Sequence, residues 1–186
     1  HRPAPPVVAD RVLAEPITET DAVHAVLADL LADLEHQLET RGQGARHYAL
    51  GLYRADGDVR RIGLQTARPL RDAAILLRLF RERLAALSHP LDPGFGFDQM
   101  RLGADQLQAL AAGQAAFDAR RDRGEALDAL VDRLCARLGP QAVSRPAPVA
   151  SHLPERAWRR VPAQQPTLAP EDWPASDPDS PPLRPL

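Results

Sequence analysis

Lysine is absent: all 23 basic residues of this 186-residue chain are arginine. The imprint of a GC-rich genome accounts for that more simply than selection for guanidinium chemistry does. Cysteine occurs once, which excludes an internal disulfide and a cysteine-based metal site and points to a reducing cytoplasm. Aromatic residues make up only 4%, so a core must be assembled from the Leu, Ala and Val that dominate the 44% hydrophobic fraction. No run approaches the roughly 18 apolar residues of a membrane span, so no membrane partner is expected. His1-Arg2-Pro3 does not open a signal peptide, and without an initial Met the chain reads as a fragment. The six histidines (His1, His24, His36, His47, His89 and His152) show no metal-ligand spacing, so neither metal nor cofactor is expected. Cys135 sits one turn from Val131 and Leu138 and reads as a small buried hydrophobe.

A net charge of -2 conceals a strong asymmetry. Glu15, Glu19, Asp21, Asp29, Asp33, Glu35 and Glu39 follow one another without a base. Between Arg41 and Arg71 lie Arg41, Arg46, Arg54, Arg60, Arg61, Arg68 and Arg71 against Asp56 and Asp58 only. Such a chain can present a polyanion-binding face, unless the two stretches fold against each other.

The pattern predicts an α+β domain. Arg11–Ile17 leans towards a strand ended by Pro16. Thr18 or Thr20 would cap a helix whose Val23, Leu27, Leu30, Leu31, Leu34 and Leu38 recur at helical spacing, with Gly42 as its stop. Tyr48, Leu50 and Leu52 alternate, Asp56-Gly57 signals a turn, and Ile62 and Leu64 lie on the buried face of the return strand. The opposite face carries Ala49, Gly51, Arg61, Gly63 and Gln65, flat enough for a phosphate backbone to approach the main chain. Arg68-Pro69-Leu70-Arg71-Asp72 would open a second helix, with Pro near its first turn and Ala73, Leu76, Leu77, Phe80, Leu84 and Leu87 as its stripe. A last strand over 94–102 completes β-α-β-β-α-β: one four-stranded sheet with two helices on one face and the other face free. On this geometry the acidic helix lies away from the arginine-lined face and does not neutralise it. A third helix is predicted over 124–138, with Leu127, Leu130, Val131, Leu134 and Leu138 on one side. Beyond Gly139, 12 of the 19 prolines fall within 47 residues, so regular structure is not expected there. Trp158, set among Arg156, Arg159 and Arg160, is the candidate anchor of that tail.

Four stretches resemble a known family: Arg68-Pro69-Leu70-Arg71-Asp72-Ala73, Leu79-Phe80-Arg81-Glu82-Arg83-Leu84, Leu91-Asp92-Pro93-Gly94-Phe95-Gly96-Phe97-Asp98 and Ser151-His152-Leu153-Pro154-Glu155-Arg156-Ala157-Trp158. They look like the C-terminal half of the ImuB family, polymerase-like subunits of the bacterial inducible-mutagenesis cassette, over roughly residues 10–160. The resemblance implies a little-finger domain of a Y-family DNA polymerase homologue, acting without catalysis in SOS-induced, error-prone translesion synthesis. It divides the chain into a linker from an upstream core (1–9), the little finger (10–105), a connector with a helix (106–139) and a Pro-rich partner-binding tail (140–186).

The same resemblance implies three kinds of contact. Primer–template DNA would be held by its backbone, independently of sequence, with Arg46, Arg54, Arg60, Arg61, Arg68, Arg71 and Arg101 as candidates. Arg68–Asp72 would add the free N–H groups of a helix N-terminus. The sliding clamp would be met by Gln114 and Phe117 within Gly113–Asp118, a segment that departs from the family's Gln-Leu-Asp-Leu-Phe pattern: the middle Leu is missing and the Gln–Phe spacing is one residue short. A cassette partner protein and an error-prone replicative-type polymerase complete the implied partners, with docking expected through the third helix and the tail and with Trp158 and Arg159 as contacts. Two rival readings are the little finger of an active lesion-bypass polymerase and a ferredoxin-like regulatory domain. No constellation of the sequence supports nucleophilic or acid–base chemistry.

Overall fold

The computed structural model describes residues 6–110, 119–149, 151 and 153–165. β1 (Val7–Ile17), α1 (Thr20–Thr40), β2 (Gln43–Arg54), β3 (Val59–Leu70), α2 (Ala73–Ala85) and β4 (Phe97–Asp105) follow the expected order. After them come a two-residue β5 (Gln108–Ala109), α3 (Ala119–Leu138) and an antiparallel pair, β6 (Ser144–Pro148) and β7 (Trp158–Pro162). The main sheet is antiparallel throughout, in the order β1-β4-β2-β3, with β5 added to the start of β2. The fold is α+β.

Strand alternation decides which face the helices cover. Tyr48, Leu50 and Leu52 of β2, Ile62 and Leu64 of β3, Met100, Leu102 and Ala104 of β4, and Val7 and Ala9 of β1 all point to one side and are buried. On them α1 lays Val23, Leu27, Leu30, Leu31, Leu34 and Leu38, and α2 lays Leu76, Leu79 and Phe80. Each such side chain contributes about 1.5–3 kcal/mol on burial. Gly57 (φ +92°) closes the β2–β3 hairpin, its amide donating to Arg54 O at 2.9 Å. Gly96 (φ +93°) passes so close to Pro16 that an added Cβ would collide at 2.6 Å. That position demands glycine twice over, by backbone angle and by space.

Several expectations need correcting. Neither Thr18 nor Thr20 caps α1: Glu19 occupies the N-cap position without a side-chain bond, while Gly42 (φ +61°) does stand just past the end. Pro69 does not open α2. It belongs to β3, and the helix starts at Ala73, capped by Asp72, whose side chain accepts from the Ile75 amide at 2.8 Å. α3 keeps its leucines on one side as expected, and that side is the open one: Leu127, Leu130, Leu134 and Leu138 are exposed, whereas Asp132, Cys135 and Ala136 are buried. Burial pushes the Cys135 thiol up to about 11.

The tail also holds regular structure where none was expected. Pro146, Pro148 and Pro162 sit within β6 and β7 because the ladder does not need their amides. The flanking bonds, Val149 N to Ala157 O (2.8 Å) and Ala163 N to Val143 O (2.9 Å), set the alternation. They leave Ser144/Pro162, Pro146/Arg160 and Pro148/Trp158 as the pairs whose amides face outward.

A buried polar latch fixes these later elements to β3. Asp132 Oδ1 accepts from the Ala67 amide (2.7 Å) and from Gln164 Nε2 (2.8 Å). Gln164 Nε2 also donates to Gln65 O at 2.6 Å. Arg46 closes the latch by donating to Thr66 O (3.3 Å) and to the Gln164 carbonyl. Because β3 is the edge of the sheet, these side chains bond main-chain groups that no neighbouring strand reaches.

Candidate nucleic-acid interface

The face of the sheet away from the helices is where a ligand as large as duplex DNA could lie. Its side chains follow from the register. Arg61 and Arg101 both pair with Gly51, and Arg101 also pairs with Asp10, so one row reads Asp10-Arg101-Gly51-Arg61. The next row reads Val8-Gly103-Ala49-Gly63. Beyond it stands His47, whose Nδ1 lies 2.9 Å from an oxygen of Asp105. At one end the Tyr53 ring lies over Gly51, 3.1 Å from where a Cβ would be.

The glycines of the middle row are not enforced by packing. A Cβ at Gly63 would meet only His47 Nε2 at 3.8 Å, and one at Gly103 only Ala49 O at 3.9 Å. The result is a shallow strip of bare main chain, flanked on one side by two exposed guanidinium groups.

Of the seven arginines expected on this face, Arg61 and Arg101 are there and the other five are not. Arg46 is 4% exposed and committed to the latch, and burial pulls its pKa down against the opposing charge of Asp132. Arg54 is enclosed by Asp56, Asp58 (3.9 Å) and Asp92 (3.6 Å) at the turn end of the sheet. The hydrogen bond to Asp56 holds its pKa above the ordinary value. Arg60 pairs with the core residue Leu52, so it points to the helix side, where it reaches His89 O at 3.4 Å. Arg68 lies in β3, not at a helix N-terminus, and pairs with Glu125 of α3 at 2.7 Å. Arg71 reaches Glu39 at 3.9 Å and Leu110 O at 3.3 Å.

Charge separation is therefore partial. The acidic helix does meet arginine, through Glu39 with Arg71 and through Asp33 with Arg11 at 3.2 Å. Sequence spacing could not reveal this, because a strand's parity tells which face a residue takes but not which acid a sheet-edge arginine will find. Gln114 and Phe117 lie outside the described residues. Trp158 and Arg159 are exposed on β7. Among the described residues no His, Cys, Asp and Glu gather as metal ligands, and no helix is long and apolar enough to cross a membrane.

Known proteins bear on this geometry. Residues 6–117 match the model of the impB/mucB/samB family C-terminal domain. The chain is 37% identical over 183 residues to Protein ImuB of two strains of Caulobacter vibrioides, NA1000 / CB15N and ATCC 19089 / CIP 103742 / CB 15. That alignment takes in 97% of this chain but only 38% of the relatives' length. Among solved structures, a complex of the β-clamp processivity factor and the little finger domain of PolIV aligns with 60% of this chain and 97% of its own. Its TM-score is 0.43 and its identity 17%. A post-insertion binary complex of Dbh DNA polymerase aligns with 54% of this chain and 28% of its own, at TM-score 0.42 and 10% identity. The chain belongs to the impB/mucB/samB family, as an ImuB-like C-terminal region.

Proposed function

We propose that this chain is the non-catalytic DNA grip and protein-docking region of a polymerase-like protein of error-prone translesion synthesis. Its setting is the cytoplasm during SOS-induced mutagenesis. The observation that carries the reading is the open strip of Gly63, Ala49 and Gly103 bordered by Arg61 and Arg101. A phosphate backbone can lie against bare main chain there, with a guanidinium fork on either side of Gly51, and nothing in the strip reads base edges. Sequence-independent binding to primer–template duplex follows.

Protein docking is read on α3. Its exposed Leu127, Leu130, Leu134 and Leu138 form an apolar stripe on the side away from the latch, the kind of surface that marks an interaction site. The partners proposed are those of the ImuB resemblance: the cassette protein, the error-prone replicative-type polymerase and the sliding clamp, the last through Gln114 and Phe117.

The test is fluorescence anisotropy of the chain on a primer–template duplex across a salt series. Neutralising each phosphate contributes about -0.9 to the slope of log K against log salt. Arg61→Ala/Arg101→Ala should flatten that slope by roughly 1.8. A double variant with an unchanged slope would remove the sheet face from the interface. An active polymerase as parent would show instead as nucleotide incorporation by the complete protein.

A further inference from the structure

The β6–β7 pair carries a second surface, distinct from the sheet face. Direct pairing puts Ser144, Pro146 and Pro148 on the same side as Pro162, Arg160 and Trp158. The other side holds Ala147 and Val161, both buried. The first side is open: Trp158 is 52% exposed, and with Ser144, Arg145, Pro146 and Arg160 it lines a groove of about 510 Å³. That is room for a planar ring the size of a nucleobase. Over residues 144–165 the sequence has Arg145, Arg156, Arg159 and Arg160 against Glu155 alone, a net charge of +3 (four minus one).

We propose that this groove binds single-stranded nucleic acid, with one unpaired base stacked on Trp158 and the adjoining phosphate held by Arg160. The chemistry selects the ligand. An exposed indole with the Arg160 guanidinium on the same side of the pair offers a base a π-face and a backbone a counter-charge, the pairing that sequence-tolerant single-strand binders use. An intact duplex keeps its base faces stacked on one another, so it could use the charge but not the ring. The prolines hold the ring in place: those of this face, Pro146, Pro148 and Pro162, make the pair stiff and present no amide to compete for phosphate. The groove is also fixed relative to the sheet, because Gln164, two residues past β7, is bonded to Gln65 O and Asp132.

The experiment compares binding of a fluorescein-labelled oligo(dT) and a blunt duplex of equal length to the complete chain. The variants are Trp158→Ala, Trp158→Phe, Arg160→Ala and Arg61→Ala/Arg101→Ala. Loss of one stacked base should weaken oligo(dT) binding about five-fold or more in Trp158→Ala, and Trp158→Phe should recover most of it. Arg160→Ala should reduce the single-strand salt slope by about 0.7. Both Trp158 variants should leave duplex binding within about two-fold of wild type, while Arg61→Ala/Arg101→Ala should weaken the duplex and spare oligo(dT). Should Trp158→Ala unfold, the exposed Arg160 carries the test. Wild-type oligo(dT) affinity in a folded Trp158→Ala, or wild-type affinity and slope in Arg160→Ala with no quenching of tryptophan by oligo(dT), would overturn the proposal. Preference of the groove for poly-Glu over oligo(dT) would overturn it too, and make the surface a site for an acidic protein.

Discussion

Replacing Asp132 by Ala should be the most damaging single change outside the leucine core. Asp132 is 3% exposed, and one oxygen serves both the Ala67 amide and Gln164 Nε2. Without it both donors lose an acceptor, and no strand lies beyond β3 to supply another. A buried donor left without a partner costs about 1–3 kcal/mol. Ala67 is part-buried and can recruit water, so the sum is about 2–4 kcal/mol. Because Gln164 also orders the Arg46 guanidinium, the loss should free the β6–β7 pair from the sheet. Asp132→Asn keeps an acceptor oxygen and should cost less than half as much. Urea unfolding followed by circular dichroism measures the stabilities, and the rate of trypsin cleavage after Arg159 and Arg160 reports the loosening. Asp132→Ala within about 0.5 kcal/mol of wild type would refute the latch. Asp132→Asn as damaging as Asp132→Ala would show that charge, not the acceptor, matters. The pH dependence has a definite sign. Burial holds the Asp132 carboxyl above its ordinary range, so between the ordinary and the raised pKa the folded chain binds a proton that the unfolded chain does not. Stability from this group therefore falls as pH rises through that window. Wild type should gain on Asp132→Asn as pH drops from neutral towards about 4.

Gly63→Val should leave the unfolding free energy within about 1 kcal/mol, since its Cβ meets nothing closer than 3.8 Å. It should nonetheless weaken duplex binding in anisotropy, because the side chain lifts the backbone off the strip. Cys135, buried with its thiol pushed up to about 11, should resist iodoacetamide at neutral pH in the folded chain and react once urea unfolds it; rapid labelling without denaturant would contradict its burial. Leu130→Gln/Leu134→Gln should change thermal stability little, both side chains being exposed, yet should abolish capture of whichever cassette protein docks on α3. A large drop in melting temperature would mean that the stripe packs within the chain.

Legibility in the sequence followed the range of the interactions. The α1 stripe, the β2–β3 hairpin and the alternation that separates Tyr48, Leu50 and Leu52 from Ala49 and Gly51 are local patterns, and each residue lies where its period puts it. The open face was readable for the same reason. What failed was long-range or positional. Periodicity gathers the α3 leucines on one side but does not say whether that side packs inward or stays open. The side that packs carries Asp132, whose partners are Ala67 in β3 and Gln164 thirty-two residues further on. Proline density concealed β6 and β7, since composition does not reveal whether each proline falls where an amide would face outward. Arginine count overstated the basic face because Arg54, Arg68 and Arg71 find acids at the sheet's ends and edge.

The most direct test of the central claim is site-specific crosslinking of the sheet to DNA. Cys135 is buried, so a thiol introduced by Ala49→Cys, in the middle of the strip, would be the reactive one; Asp29→Cys, exposed on α1, serves as control. Incubated with a primer–template duplex carrying a thiol-reactive phosphate, Ala49→Cys should crosslink strongly, more so at low salt, and Asp29→Cys should not. Equal crosslinking at the two positions, or crosslinking at Asp29→Cys alone, would contradict the assignment of the duplex to the open face.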